Sequence, residues 1–297
     1  MDRFNLNSGK SVLLCDPYYP NRSMLSTFTG RDKELRAIFA SWIATDNYPP
    51  LCPLMIGEPG VGKNRIVYEL HNITGLNLYI LQGHEDITAE DLACAVRFSD
   101  GEHGKMDYVL SPLVTAMYKG GICFIDEIGK IRPRALSLLV SVLDERRYID
   151  STLLGERIEA AKDFRFVAAT NSGEENDLPE FIRSRMKPVV KIDHPDRKDI
   201  EKIIETQSGV RVHRDELLTA FWDLWRNQDL PPTPRDVIQL FALAATLCCY
   251  RNTSGENFLR YDPTHQYTEQ RKRIREKCSH PSIEVQDLNN AFKELYE

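Results

Sequence analysis

The chain has 297 residues, 42% of them hydrophobic and 28% charged, with a formal net charge of −6 and a pI near 5.7. This length allows two domains with sizeable apolar cores. The acidic balance provides no general attraction to nucleic acid or to an anionic membrane, and no apolar run approaches the roughly 18 residues of a membrane span. The first residues lack the apolar core of a signal peptide. With seven cysteines and no C-x-x-C pair, the sequence predicts a soluble, cytoplasmic protein with reduced thiols and no membrane partner.

The first two thirds of the chain alternate between short apolar runs and helical patterns. Residues 1–29, with Pro17 and Pro20, predict an irregular N-terminal arm. Apolar runs then predict strands at 53–56, 77–81, 121–125, 164–169 and 189–192. Helical spacing predicts helices at 31–44, 65–70 and 92–96, and further helices that begin at Pro112 and near Pro133. Polar turns predict two hairpins, at 97–109 and 148–159.

After His194 the strand patterns stop, and helices are predicted at about 197–207, 214–228, 234–250 and 282–296. The third of these begins with Thr233 as N-cap and Asp236 at the third helical position. The predicted fold class is therefore α/β, a five-stranded parallel sheet with helices on both faces, followed by a smaller all-helical lid. The predicted domains are an N-terminal arm at 1–29, the α/β domain at 30–195 and the lid at 196–297.

A glycine-rich loop follows the first predicted sheet strand and precedes a helix. It consists of Gly57, Glu58, Pro59, Gly60, Val61, Gly62, Lys63 and Asn64. The order of strand, G-x-x-x-x-G-K loop and helix is typical of a loop that binds the phosphates of ATP, with Lys63 on the outer phosphates. A glycine-rich turn before an ordinary helix is the alternative. One position departs from the motif, because Asn64 stands where Ser or Thr would place a hydroxyl on Mg²⁺.

Three polar residues follow other predicted strands of the sheet. Asp126 and Glu127 come directly after the third strand, and Asn171 follows the fourth. Because ligands bind at the carboxyl ends of parallel strands, Asp126 is predicted to bind Mg²⁺ and Glu127 to polarise the attacking water. Asn171 is a candidate for positioning that water near the γ-phosphate. Strand ends that meet solvent, and an asparagine in an ordinary turn, are the alternatives.

Three arginines complete the candidate site. Arg183 and Arg185 are alternative arginine fingers, which would neutralise transition-state charge on the nucleotide of a neighbouring subunit. Two surface arginines on one short helix would look the same in the sequence. Arg235, at the start of a lid helix, is a candidate for reporting the nucleotide state to the lid.

These motifs occur in the order found in AAA+ ATPases, which the chain resembles over about residues 25–297. Within that superfamily it is most similar to the MoxR group, with midasin-like modules next. The two hairpins resemble the helix-2 insert and the insert before sensor 1. The resemblance implies that Lys63 belongs to Walker A, Asp126 and Glu127 to Walker B, and Asn171 to sensor 1. It also implies that Arg185 is the finger and Arg235 sensor 2. MoxR proteins usually have Asp-Arg-Phe where this chain has Ser-Arg-Met at 184–186, which keeps Arg183 in consideration.

The resemblance implies a ring-shaped homo-oligomer, expected to be a hexamer, that uses ATP and Mg²⁺. Each ATP would lie between Lys63, Asp126 and Glu127 of one subunit and Arg185 of the next. Hydrolysis would move the lid and drive the hairpins against a protein client, which the ring would remodel or mature. The MoxR resemblance implies that this client contains a von Willebrand factor A domain.

Asn64 leaves a second function open. Its amide oxygen could bind Mg²⁺, but it also brings an NH₂ group that needs an acceptor, so we expect retained nucleotide binding and slowed hydrolysis. A nucleotide-gated assembly scaffold with little turnover is the first alternative, and a DNA-acting motor with the same core is the second. The basic cluster at 271–277 is better explained as a solvated helix face than as a nucleic-acid site.

Overall fold

The structure, a computed structural model, divides into two contact units. It describes residues 3–6, 8–21, 28, 30–43, 48–98, 106–207, 210, 213–252 and 281–296. The α/β unit comprises Met1–Pro59 and Lys63–Asp193, and the helical unit comprises Gly60–Gly62 and His194–Glu297. The predicted turn at 99–105 and the basic cluster at 271–277 lie outside the described residues.

The described strands all belong to the α/β unit. They are β1 Arg3–Asn5, β2 Ser11–Leu13, β3 Leu54–Gly57, β4 Leu78–Gln82, β5 Cys94–Phe98, β6 Met106–Leu110, β7 Ile122–Asp126, β8 Tyr148–Ser151, β9 Glu156–Glu159, β10 Arg165–Thr170 and β11 Val189–Ile192.

Helices occur in both units. Those of the α/β unit are α1 Asp32–Ser41, α2 Lys63–Thr74, α3 Ala89–Ala93, α4 Pro112–Lys119, α5 Pro133–Leu136, α6 Val140–Leu143 and α7 Glu180–Arg183. Those of the helical unit are α8 Arg197–Glu205, α9 Arg214–Trp225, α10 Pro234–Asn252 and α11 Val285–Tyr296. Short 3₁₀ turns occupy Ile128–Lys130, Ser137–Leu139 and Glu174–Asn176.

The predicted parallel sheet is confirmed, with strand order β11-β3-β10-β7-β4. Met55 of β3 lies opposite Ala169 of β10 and Val190 of β11, and Phe124 of β7 lies opposite Val167 of β10. Every residue of β7 before Asp126 is buried, because the strand is covered on both faces and has no polar side chain to solvate. Helices α1, α2 and α4 pack against strands of this sheet.

Local capping explains where several helices begin. Thr88 accepts a hydrogen bond from the Asp91 N–H, and the Asp91 carboxylate accepts from the Thr88 N–H, which forms a capping box at the start of α3. Ser111 caps α4, with proline at its first position. Thr233 and Asp236 form the same reciprocal pair at the start of α10, as predicted.

The prediction of an irregular arm is wrong where the N-terminal segment forms strands. A second sheet has the order β1-β2-β6-β5, in which β2 pairs antiparallel with β1 and parallel with β6. Val12 lies opposite Tyr108, and its side chain is only 1% exposed. The pairing partner of β2 is therefore far away in sequence, and the three-residue strands are too short to show periodicity.

Two helix boundaries also differ from prediction. The helix predicted at 92–96 ends at Ala93, because Cys94 takes an extended conformation and pairs with Leu110 in the antiparallel hairpin β5–β6. The helix predicted from Pro133 is divided into α5, a 3₁₀ turn and α6. Its apolar face is nevertheless buried at Leu136 and Leu139.

The helical unit has its own core, centred on aromatic side chains. Phe221 stacks on Trp225 with ring centroids 5.2 Å apart, and Trp225 meets Phe292 edge-on at 5.5 Å. Phe221 is fully buried and Trp222 partly buried, so the apolar side chains of α9 belong to this core.

Within the described ranges, no helix combines the length and apolar character that a membrane crossing requires. Cys15, Cys52, Cys94 and Cys123 carry free thiols, whereas Cys249 is disulfide-bonded, so the expectation of reduced thiols is wrong for Cys249.

Candidate functional site

The carboxyl ends of three neighbouring strands bring the predicted polar residues together. Strand β3 ends at Gly57, β7 at Asp126, and β10 at Thr170, directly before Asn171. Because β3, β10 and β7 are adjacent and parallel, these ends meet at one edge of the sheet. This is the edge at which parallel α/β sheets bind ligands.

The loop after β3 requires glycine at two positions for backbone reasons. Gly60 and Gly62 have φ angles of 87° and 104°, which side-chain-bearing residues rarely adopt. A Cβ added to Gly62 would meet no atom within 4 Å, so the constraint at Gly62 is conformational and not steric. Glu58 and Pro59 are exposed, and Val61 is buried.

Lys63, the first residue of α2, is almost fully buried at 8% exposure. Its ammonium donates to the Gly57 carbonyl at 2.6 Å, the Glu58 carbonyl at 3.1 Å and the Asn171 amide oxygen at 3.0 Å. A buried ammonium needs such acceptors, because an unpaired charge in a protein interior is costly. The predicted Walker A and sensor 1 residues are therefore in direct contact.

Asp126 is partly buried, and Asn64 is one of its partners. Burial raises the pKa of the Asp126 carboxyl above its ordinary value. Hydrogen bonds from the Asn64 side chain and the Glu127 N–H, and the charge of Lys63, act in the opposite direction on that pKa. The NH₂ group of Asn64, which the sequence left without an acceptor, donates to Asp126.

The donor set at Asn64 and Asp126 fits a magnesium ion that arrives with a phosphate ligand. Mg²⁺ prefers oxygen ligands and is commonly held by one or two protein groups together with phosphate oxygens and waters. Asp126 supplies a carboxylate, and Asn64 an amide oxygen once its side chain turns. In the part of the chain that the structure describes, no cluster of three or more His, Cys, Asp or Glu residues could hold a metal ion by itself.

Glu127 is held in a defined orientation by two side chains. Its backbone adopts a left-handed conformation, with φ of 53°. Gln82 donates to one carboxylate oxygen at 2.8 Å, and the Lys130 ammonium lies 2.8 Å from the other. The hydrogen bond from Lys130 holds the pKa of the Glu127 carboxyl below its ordinary value. Glu127 is therefore ionised at neutral pH and able to accept a hydrogen bond from water.

Asn171 connects Lys63 to a further carboxylate. The Asn171 NH₂ group donates to Glu174 at 3.2 Å, while the amide oxygen accepts from Lys63. With one donor and one acceptor engaged, the amide orientation is defined by its neighbours.

Reasoning from the sequence alone did not identify Gln82, Lys130 and Glu174 as part of the site. Gln82 had a detectable signal, because it lies opposite Asp126 at the end of β4 and the strand-end rule applies to it as well. Lys130 and Glu174 lie in 3₁₀ turns after β7 and β10, and nothing in their spacing distinguishes them from solvated charges.

Two glycines were also missed, and both are required by close packing. A Cβ on Gly83 would lie 2.4 Å from the Glu127 carbonyl oxygen, and one on Gly129 would lie 2.6 Å from the Thr170 hydroxyl. Both distances are shorter than any normal contact. The chain around Asp126 and Glu127 therefore has no room for larger residues at these positions.

The structure separates the two finger candidates. Arg183 pairs with Glu180 of its own helix, three residues earlier. Arg185 donates to the Phe181 carbonyl at 2.7 Å, and its Nε lies 3.6 Å from the carboxylate of Asp144, which belongs to a different element. Arg185 is thus positioned by the tertiary fold, whereas Arg183 is held only by its own helix.

Arg235 lies in the helical unit, as the second residue of α10. Its side chain is exposed, directly after the capped start of the helix. Its predicted role as sensor 2 stays a prediction.

The class of protein follows from comparison with known families. Residues 53–186 match the AAA domain of the dynein-related subfamily, a range that includes the glycine loop, Asp126, Glu127, Asn171 and Arg185. This match covers slightly less than half of the chain and agrees with the predicted AAA+ class.

Two individual proteins are similar to the chain in sequence. It is 32% identical to Protein NorQ of Paracoccus denitrificans, over 61% of this chain and 65% of that protein. It is also 32% identical to an uncharacterized protein of Staphylococcus epidermidis, over 53% of this chain and 61% of that protein. The likeness to NorQ agrees with the predicted relation to the MoxR group of AAA+ ATPases. The chain spans somewhat less than two thirds of the length of these relatives.

Among solved structures, a variant of Thermotoga maritima RuvB superposes with a TM-score of 0.56 at 17% identity, over 91% of this chain and 72% of that chain. At this identity the likeness concerns the fold alone.

Proposed function

We propose that the chain binds ATP together with Mg²⁺ and hydrolyses it to ADP and phosphate. The observation that carries the proposal is the meeting of Lys63, Asp126, Glu127 and Asn171 at one edge of the sheet, directly beside the glycine loop. Four polar groups with these chemistries on adjacent strand ends match the requirements of phosphoryl transfer.

Each side chain has a task in this reaction. Lys63 would exchange its carbonyl and amide acceptors for phosphate oxygens, and Asn171, thereby released, would orient toward the γ-phosphate. Glu127 would accept a proton from the attacking water as the new P–O bond forms and the bond to the β-γ bridging oxygen breaks. Asp126 and Asn64 would hold Mg²⁺, which neutralises charge on the phosphates.

We further propose that the chain works as a ring-shaped homo-oligomer, a hexamer, in the cytoplasm, with Arg185 reaching the nucleotide of the neighbouring copy. The contact with the Asp144 carboxylate supports Arg185 over Arg183, because Asp144 lies in a distant part of the chain and orients the Arg185 guanidinium. Arg235 would sense the nucleotide in its own copy.

The work of the ring would be to remodel or mature a protein client. The relation to the MoxR group supports this proposal and a client with a von Willebrand factor A domain. The hairpins β5–β6 and β8–β9 are the candidate contacts with that client. Both are antiparallel pairs of the α/β unit that carries the site.

The proposal is tested with the purified chain by measuring phosphate release and the binding of a fluorescent ATP analogue. We expect measurable turnover and micromolar binding, and Lys63→Ala should abolish both, because it removes the buried ammonium that would bind the outer phosphates. Equal binding by wild type and Lys63→Ala would overturn the proposal.

Asn64 favours a second candidate, a nucleotide-gated scaffold with little hydrolysis. Because the Asn64 amide donates to Asp126, it competes with a cation for that carboxylate, and hydrolysis should be slow. Asn64→Thr should raise turnover several-fold with unchanged nucleotide affinity. Unchanged turnover in this variant, together with a wild-type rate no higher than that of a Lys63→Ala control, would favour the scaffold.

A DNA-acting motor has weaker support. One RuvB structure is described as a Holliday junction branch migration motor, at 14% identity and a TM-score of 0.51, and this likeness carries no activity to the present chain. Stimulation of turnover by duplex or branched DNA would favour the motor.

A further inference from the structure

A tight turn between α6 and β8 places charged side chains on both of its sides. Arg147 has a left-handed φ of 49°, and its side chain points inward. Its guanidinium donates to the Phe164 carbonyl at 2.9 Å and the Pro50 carbonyl at 3.3 Å. These contacts fix the turn to the core of the α/β unit, so that Asp144 and Arg146 occupy defined positions on its outer side.

The Asp144 carboxylate contacts the guanidinium groups of two arginines. Arg146 donates through Nε to Oδ1 at 3.0 Å and through Nη2 to Oδ2 at 2.7 Å, the two-pronged geometry typical of arginine and carboxylate. Arg185, two residues after the end of α7, approaches the same carboxylate with its Nε 3.6 Å from Oδ2. The Asp144 side chain is only 12% exposed, whereas those of Arg146 and Arg185 are 46% and 34% exposed.

The cluster has more positive than negative charge, and one of its hydrogen-bond donors, the Arg185 Nε, has no acceptor among the described residues. Two guanidinium groups share one carboxylate, so the cluster of Asp144, Arg146 and Arg185 has a net charge of about +1 at neutral pH. In addition, the Arg185 Nε is buried without a hydrogen-bond partner, since 3.6 Å is too long for a hydrogen bond. A buried donor without an acceptor is rare and calls for an explanation.

Two exposed arginines elsewhere in the chain form ordinary one-to-one ion pairs. Arg157 pairs with Asp150 at 2.9 Å, and Arg226 pairs with Asp223 at 2.7 Å. In each case one carboxylate balances one guanidinium. The cluster at Asp144 therefore differs from a surface ion pair in the way expected of a site for an anion.

We propose that Arg146 is a second arginine that contacts the ATP bound by a neighbouring copy, and that Asp144 positions Arg146 and Arg185 together for this contact. The inference rests on the proposed function, because it assigns a partner to the nucleotide site of the adjacent subunit. The planar guanidinium groups suit phosphate oxygens, and two of them spread the transition-state charge over more donors.

The test mixes two variants whose turnover is impaired for different reasons. Lys63→Ala cannot bind ATP but retains its arginines, and Arg146→Ala retains its nucleotide site. Alone, Arg146→Ala should have turnover reduced about 10-fold or more, with nucleotide affinity within about 2-fold of wild type. An equal mixture should recover about a quarter of the wild-type turnover, because half of the sites are competent and half of their neighbours supply Arg146.

The outcome separates this inference from the proposed function. The same mixture with Arg185→Ala in place of Arg146→Ala tests the finger itself. Recovery with Arg185→Ala and none with Arg146→Ala would overturn the role of Arg146 alone. Recovery with neither would contradict the intersubunit site, and an inactive wild type would contradict the proposed function.

The positioning role of Asp144 is tested by measuring kcat and nucleotide affinity separately in a variant. As a positioning residue it should, when changed to Asn, lower kcat several-fold with nucleotide affinity unchanged, and the mixture with Lys63→Ala should recover activity. Arg226→Ala is the matched control, because it removes an exposed, carboxylate-paired arginine far from this cluster in sequence, and it should leave turnover unchanged. If Asp144→Asn lowers binding and turnover equally, or fails to recover in the mixture, a role in the fold replaces the role in positioning.

Discussion

The α/β unit contains two sheets that are built on different principles. In the five-stranded sheet, every strand is parallel to its neighbours, and the central strands β7 and β10 are almost completely buried. In the four-stranded sheet, β1 is exposed throughout, and β2 pairs with β6 across a separation of about a hundred residues. The first sheet carries the polar edge of the candidate site. The second lies outside that edge and is held together by contacts that are distant in sequence.

The two sheets therefore have different expected roles: the five-stranded sheet carries the candidate site, and the four-stranded sheet connects the two hairpins. The N-terminal segment joins the two hairpins, because β2 pairs with β6, while Lys10 donates to the Leu154 carbonyl in the turn between β8 and β9. The Ser8 N–H also donates to Glu156 at the start of β9, at 3.2 Å. Changes in the five-stranded sheet should therefore alter nucleotide chemistry, whereas changes in the four-stranded sheet should alter how the hairpins are held.

The largest effect is expected from Glu127→Gln at the end of β7. Removing the carboxylate that polarises water should lower turnover about 100-fold or more, because general-base catalysis contributes a factor of that order. Binding of a fluorescent ATP analogue should stay within about 2-fold of wild type, since Lys63 and the loop are intact. Glu90→Gln, an exposed glutamate of α3, is the matched control and should change neither quantity. Comparable turnover in the Glu127 variant and wild type would show that Glu127 does not polarise the attacking water.

The next effect concerns the packing behind Glu127. Gly83→Ala would place a methyl group 2.4 Å from the Glu127 carbonyl oxygen, so the backbone must shift. We expect the free energy of unfolding to fall by about 1–3 kcal/mol, together with reduced turnover, because overpacking at this point displaces Glu127. Urea denaturation and phosphate release measure the two quantities.

A control for the Gly83 variant comes from Gly173, where an added Cβ meets no atom within 4 Å. Gly173→Ala has only the backbone cost of a positive φ, about 1 kcal/mol, and should be the milder of the two. Equal losses of stability in both variants would show that the close approach at Gly83 has no consequence.

A matched pair of substitutions compares the two sheets directly. Val167 of β10 and Val12 of β2 are 0% and 1% exposed. Changing either to Ala removes two carbon atoms from a packed environment and should cost about 1.5–2.5 kcal/mol of unfolding free energy. Only Val167→Ala should also weaken nucleotide binding, because β10 leads directly into Asn171. A loss of binding in Val12→Ala, or a stability change near zero there, would contradict the division between the sheets.

The smallest effect is expected from Lys10→Met. It removes the contact with the Leu154 carbonyl while retaining most of the aliphatic chain, so the stability change should be below about 1 kcal/mol. Hydrogen exchange should be faster at the Gly155 N–H, which donates to the Ser151 carbonyl in the same turn at 2.8 Å. Unchanged exchange would show that the N-terminal segment does not restrain this hairpin.

The sequence predicted the five-stranded sheet because its strands are continuous apolar runs, a pattern that needs no knowledge of the partner strand. The same holds for Asp126, Glu127 and Asn171, since a polar residue directly after such a run marks the functional edge of a parallel sheet. Capping residues such as Ser111 and Thr233 were equally readable, because a cap is a local interaction.

Other features depended on contacts that no local pattern reveals. Strand β2 is three residues long and pairs with Tyr108 and Val109 of β6, which lie about a hundred residues later in the chain. The 3₁₀ turns bring Lys130 into contact with Glu127, and Glu174 into contact with Asn171. These contacts cannot be inferred from the local sequence around Lys130 and Glu174. The distinction between Arg183 and Arg185 likewise required Asp144, which lies about forty residues earlier in the chain.

The pairing of β2 with β6 has a further consequence, which concerns aggregation. A hairpin alone would present β6 as an open edge of five residues, and unpaired edges of that kind are templates for pairing with other chains. Addition of β2 and β1 moves this edge to a strand of three residues that carries the charged side chain of Arg3, while β5 stays at the opposite edge. Short, charged edges pair poorly with foreign strands, so the N-terminal segment protects the β6 side of the four-stranded sheet from pairing with other chains.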